Sequence, residues 1–132
     1  MLAVPLLKRY SATSCPWDLW AFGGLADHLS HWRFFTPDHG PGHCFPSGHA
    51  VSAFAFLSGW FQLRRAHPAL ARRWLIAVLT VGTLFGVAQM LRGAHFASHT
   101  LWSAWLCFAL CAVLSALGRP ALEARSRPDL VA

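Results

Sequence analysis

Three nearly unbroken apolar runs, over 48–63, 74–91 and 100–117, dominate the chain, separated by glycine-bearing polar turns or by arginine clusters. Each approaches the ~20 residues an α-helix needs to cross the hydrocarbon of a bilayer. The pattern therefore predicts an all-α integral membrane bundle with about three spans. Residues 1–7 are apolar but too short to span, and nothing in them reads as a convincing signal peptide. Between Cys15 and Cys44 the chain is aromatic and polar, punctuated by Gly23-Gly24, Pro37, Gly40, Pro41 and Gly42. Such turn signals predict a loop carrying a short interfacial helix. Trp17, Trp20, Trp32, Phe34 and Phe35 suit a belt at headgroup depth. The whole, 1–132, reads as a single domain, with 1–47 ahead of the spans and 118–132 a basic tail.

Composition strengthens the membrane reading. The chain is 55% hydrophobic and 12% charged, and it carries seven Trp and ten Phe, more than a small soluble core buries. The net charge of +6 comes almost wholly from arginine, and the arginines sit between and after the apolar runs. That placement points to membrane topology and away from nucleic acid. Arg64, Arg65, Arg72 and Arg73 crowd one loop, and Arg119, Arg125 and Arg127 follow the last run. The positive-inside rule puts both clusters in the cytoplasm. Three crossings then bring two histidine-bearing turns together on the opposite face, the periplasmic side if the membrane is a bacterial inner membrane.

Those turns are Pro46-Ser47-Gly48-His49 and the segment from Arg92 through Gly93, Ala94, His95, Phe96, Ala97 and Ser98 to His99. In the first, Gly48 lets the backbone approach an anion, Ser47 adds a hydroxyl, and His49 is placed to protonate a leaving oxygen. By itself it is equally an ordinary helix start. In the second, Arg92 either binds an anion or snorkels to the headgroups. His95 and His99, spaced i,i+4, share a helix face. Three uses stay open for the pair: a nucleophile oriented by its partner, ligands of a metal or haem, or interfacial residues without a special role. His39 and His43 repeat the spacing inside a Gly/Pro loop where a helix is not expected. Cys107 and Cys111, one turn apart in the last run, read as packing residues.

Taken together, these residues resemble the type 2 phosphatidic acid phosphatase and vanadium haloperoxidase superfamily, whose pattern is Lys-x6-Arg-Pro, Pro-Ser-Gly-His and Ser-Arg-x5-His-x3-Asp. The second motif is intact at Pro46–His49. The first reads Lys8, six residues, then Cys15-Pro16, with cysteine in the arginine place. In the third, His95 takes the histidine position, His99 stands for the aspartate and Gln89 for the arginine, with Arg92 three residues on. A slipped register would make His99 the nucleophile and put Ser103 near the aspartate position. The resemblance spans roughly 8–117.

The resemblance implies a membrane phosphatase acting on a lipid phosphate or diphosphate through a phospho-histidine, without a cofactor or metal. His95 would attack phosphorus and His49 would protonate the leaving oxygen. Lys8, Ser47, Gly48 and Arg92 would hold the phosphoryl oxygens, and His99 would orient His95. Convergence of the first two motifs would bring Cys15 and Cys44 close enough for a disulfide. The family usually has six membrane helices, so a three-span chain is expected to be a truncated or minimal form, with an oligomer or partner helices making up the bundle. Soluble haloperoxidase chemistry fits so apolar a chain poorly. Two other functions remain: a lipid-binding remnant without turnover, and a membrane protein holding metal or haem on His49, His95 and His99.

Overall fold

The computed structural model describes residues 3–30, 32–33 and 36–126. Phe34, Phe35 and Arg127 lie outside the described residues, and the side chains of Arg119 and Arg125 are not described. The architecture is helical: α1 (Ala3–Tyr10), α2 (Gly48–Phe54), α3 (Leu57–Leu63), α4 (Pro68–Leu91) and α5 (Ala97–Ser126). Among the described residues there is no strand, only an isolated bridge between Leu19 and Ala26.

Two of these helices, Pro68–Leu91 and the Ala97–Gly118 part of α5, are long and apolar enough to cross a membrane. Only 22% and 17% of their most apolar windows are buried, the reverse of a soluble core helix. Leu84, Phe85, Leu101, Trp105, Leu114 and Leu117 are exposed along them, an apolar surface that suits lipid and not water.

The first apolar run differs from expectation. It forms two seven-residue helices, α2 and α3, joined by a turn at Ala55–Phe56, in place of one continuous helix. The other boundaries also move. α4 starts at Pro68, six residues before the apolar run, because proline suits the first turn of a helix. α5 runs through to Ser126, so much of the expected tail is helical. Nor does the Cys15–Cys44 segment contain an α-helix among its described residues. It has single 3-10 turns at Pro16–Asp18 and Trp20–Phe22, ended by extended Leu19 and left-handed Gly23.

α2 and α3 pack between α4 and α5. Phe54 of α2 meets Gly82 of α4, and Gly59 of α3 meets Trp74, so this pair runs antiparallel to α4. Phe61 and Trp60 stack on Phe108, further along α5 than the Ser47–His99 contact, so the pair runs parallel to α5. Gly82 and Gly86, one turn apart, allow this approach. A Cβ at Gly82 would enter the Phe54 ring, and one at Gly86 would enter Thr100. Small residues on one face are the usual means of close packing between membrane helices. Val4, Ala50, Val51, Phe54, Leu57, Val78, Cys107 and Cys111 form the core, with both cysteines as free thiols.

The result is polarised. Arg64, stacked on Trp60 and Phe61, and the Arg72-Arg73 start of α4 mark one end. The two histidine turns mark the other.

Candidate active site

Four short segments converge at that end, and backbone hydrogen bonds hold them. Trp17 N–H donates to the Gly93 carbonyl at 3.0 Å, tying the first motif to the third. His43 N–H donates to Ser11 and Cys44 N–H to Thr13, at 2.8 and 2.9 Å, laying the loop before the second motif along 11–15. Buried Asp38 organises this loop: its carboxylate accepts from the Ser14 N–H and hydroxyl and from Gly40 N–H. His39 and His43 adopt left-handed φ values of 61° and 58°, so their i,i+4 spacing belongs to a loop. The same loop brings Cys15 and Cys44 together, and they are joined by a disulfide.

α4 ends in a Schellman motif. Gly93, at φ 68°, donates to Met90, and Ala94 donates to Gln89. The turn reverses the chain and delivers His95 just ahead of α5. The buried Gln89 supplies the carbonyl that accepts from Ala94 at 2.9 Å and from His95 at 3.4 Å. Arg92, the residue capping α4, is exposed and lines a pocket with His95, Trp17, Phe22 and Phe96.

His95 is 5% exposed and His99 1%. Their Nδ1 atoms lie 3.4 Å apart, and Cys44 Sγ is 3.4 Å from His95 Nδ1. The rings of Phe45 and Phe96 pack edge-on against His99. Ser47 N–H donates to the His99 carbonyl at 3.4 Å, so the second and third motifs touch directly. The Ser103 hydroxyl sits 2.9 Å from the carbonyls of both Ser47 and His99 and pins α2 to α5. Ser47 itself is fully buried, and among the described residues its hydroxyl has no hydrogen-bond partner.

His49, on the first turn of α2, is exposed. Val4 and Lys8, one turn apart on α1, share a face. Val4 enters the core and Lys8 Nζ lies over Gly48, 3.8 Å from where a Cβ would stand. Burial, then the charges of Lys8 and His49, push His95 down to about 4, against a smaller opposing pull from a backbone hydrogen bond at Cys44. His95 is therefore a neutral imidazole at ordinary pH.

The structure thus gathers Lys8, Ser47, Gly48, His49, His95 and His99 at one end, with Arg92 beside His95 in an adjoining pocket. Sequence reasoning missed Cys44 as a neighbour of His95 and Ser103 as the strut between motifs. Neither contact has a local signal, since the partners lie 51 and 56 positions apart.

A protein-family model described as PAP2 superfamily matches residues 1–121. No curated protein and no solved structure matches the chain.

Proposed function

Because the chain belongs to the PAP2 superfamily, for which a phosphatase-type function is the general expectation, we propose that it is a membrane phosphatase hydrolysing a lipid phosphate or diphosphate through a phospho-histidine. The observation that carries this reading is the position of His95: neutral, backed by His99 on Nδ1, and within the field of Lys8 and His49.

The chemistry follows from those positions. With its Nδ1–H donated toward His99, His95 keeps a lone pair on Nε2 for attack on phosphorus. The P–N bond forms as the P–O bond to the lipid breaks, and His49 gives its proton to the departing oxygen. His49 then takes a proton from water, which attacks phosphorus. The P–N bond breaks, and phosphate leaves with His95 restored. Lys8, the Ser47 hydroxyl, Gly48 N–H and Arg92 neutralise the charge that builds on the equatorial oxygens. The partnerless Ser47 hydroxyl supports this, since a buried donor without an acceptor is costly unless a ligand supplies one. The greater burial of His99 and its ring contacts favour His95 as the nucleophile and His99 as the orienting residue. Exposed Trp17, which lines the pocket beside His95, suits a substrate anchored in the bilayer. The arginine distribution favours a site on the non-cytoplasmic face, which is the periplasm if the membrane is a bacterial inner membrane.

A second reading, lipid-phosphate binding without turnover, rests on Cys15, Gln89 and His99 standing where the family pattern has two arginines and an aspartate. One assay separates the two. Phosphate release is followed from a panel of lipid phosphates and diphosphates, in detergent with EDTA. Release that collapses in His95→Ala and His49→Ala supports the enzyme. Binding of the same lipids by folded protein without release supports the second reading.

A further inference from the structure

Cys44 Sγ and ring nitrogens of His95 and His99 all lie within 4.8 Å of one another, and all three residues are buried. Two of the separations, Cys44 Sγ to His95 Nδ1 and His95 Nδ1 to His99 Nδ1, are both 3.4 Å. Zinc with Zn–N of about 2.0–2.1 Å and Zn–S of about 2.3 Å at tetrahedral angles sets its N–N and N–S donor pairs roughly 3.3–3.6 Å apart and two sulfurs about 3.8 Å apart. These two separations are those of ligands around one small cation, and the third pair, Cys44 Sγ and His99, lies within 4.8 Å. A fourth donor is at hand, because Cys15 Sγ is bonded to Cys44 Sγ.

We propose that, once the Cys15–Cys44 disulfide is reduced, Cys15, Cys44, His95 and His99 form a Cys2His2 site for a borderline-soft divalent cation, zinc being the type case. Disulfide and metal are alternative occupants of the same sulfurs. An external thiol reductant supplies two electrons: two of its thiols become a disulfide and the Cys15–Cys44 bond opens to two thiols. The cation then displaces the two thiol protons, and its two positive charges are balanced by two thiolates. The site stands on this geometry alone. Only one consequence rests on the phosphatase reading: a cation on His95 Nδ1 leaves the ring proton on Nε2, so the attacking lone pair is lost and turnover stops.

The test uses the full chain in detergent, with and without a non-coordinating phosphine reductant. Zinc is added, excess is removed by gel filtration, and bound metal is counted. One zinc per reduced chain, background zinc in the oxidised chain, and background zinc in reduced Cys44→Ser and His99→Ala are expected. Cobalt in the reduced protein should give a thiolate-to-metal charge-transfer band that Cys44→Ser loses. A reduced, helical wild type without zinc overturns the proposal, as does equal zinc in Cys44→Ser. Where reduction melts the chain, zinc and not magnesium must restore helicity, and failure to do so also overturns it. Turnover is not read in this experiment. An inactive protein that binds zinc keeps the site, and an active protein that binds none keeps the phosphatase.

Discussion

His95 Nδ1 faces His99 Nδ1 across 3.4 Å, an imidazole where the family pattern has a carboxylate. A neutral imidazole can accept the His95 N–H but cannot balance the positive charge that His95 gains on phosphorylation. His99→Asp is therefore expected to raise kcat by roughly tenfold or more, and His99→Ala to lower it. The carboxylate should also lift the His95 pKa, moving the acid limb of the rate profile to higher pH. Parallel pH–rate profiles of the two variants and wild type check this. An unchanged acid limb in His99→Asp would show that the two rings are not coupled.

Stability should vary with pH through His95. Facing it are Lys8 from α1, His49 from α2, Arg92 from the end of α4 and His99 from α5. Its folded pKa, about 4, lies below the ordinary 6.5, so the unfolded chain binds the proton more tightly. The His95 contribution is complete above pH ~6.5 and is lost as pH falls toward ~4, by at most on the order of 3 kcal/mol. Urea titrations of the oxidised, metal-free protein at several pH values should show this slope. His95→Asn should flatten it. Turnover should persist well below pH 6 as far as His95 protonation governs it.

The Cys15–Cys44 bond closes a loop with a sequence separation of 29. Chain-entropy reasoning assigns such a crosslink about 3–4 kcal/mol, a drop in Tm on the order of 10 °C on its loss. Cys15→Ser should melt lower than wild type under oxidising conditions, and the difference should vanish when both are reduced without metal. A Tm gap that survives reduction would instead assign the effect to the side chain of residue 15.

Gly86 holds α4 against Thr100, the neighbour of His99. Gly86→Leu forces a side chain into Thr100 and separates α4 from α5. Overpacking of this kind costs about 1–3 kcal/mol, and His99 moves with its neighbour. Both Tm and kcat should fall. Gly118→Leu, where a Cβ meets nothing within 4 Å, is the control and should change neither.

Particular residues show what was legible in the chain. Hydropathy marks the spans at 74–91 and 100–117, because a lipid-facing helix is apolar on most of its surface. It says nothing of the break at Ala55–Phe56, since both halves of that run are similarly apolar. Trp17, Trp20 and Phe22 carry the composition of an interfacial helix, yet Leu19 and Gly23 stop each turn after three residues. At the site, the motif spacings mark Lys8, His49, His95 and His99 as a group worth watching. The contacts of Cys44 with His95 and of Ser103 with Ser47 join residues more than fifty positions apart. One unaligned sequence carries no signal for such pairs.

Ser47 separates stability from activity. Among the described residues its buried hydroxyl has no partner, so it bears a desolvation cost that no hydrogen bond to them offsets. Removing such a group is neutral or stabilising, by about 1 kcal/mol. Ser47→Ala should therefore keep or raise Tm. If the hydroxyl meets a phosphoryl oxygen in the transition state, the same change should lower kcat/KM by roughly tenfold to a hundredfold, the usual loss for one donor to a developing charge being at the upper end of that range or beyond. Thr100 is the comparison, because its hydroxyl is also buried and, among the described residues, without a partner, but lies against Gly86. Thr100→Val should leave kcat/KM near wild type. Melting curves and kinetics on the two variants decide the matter. Equal losses of turnover would mean that packing at this end of the bundle, and not a phosphate contact at Ser47, governs the rate.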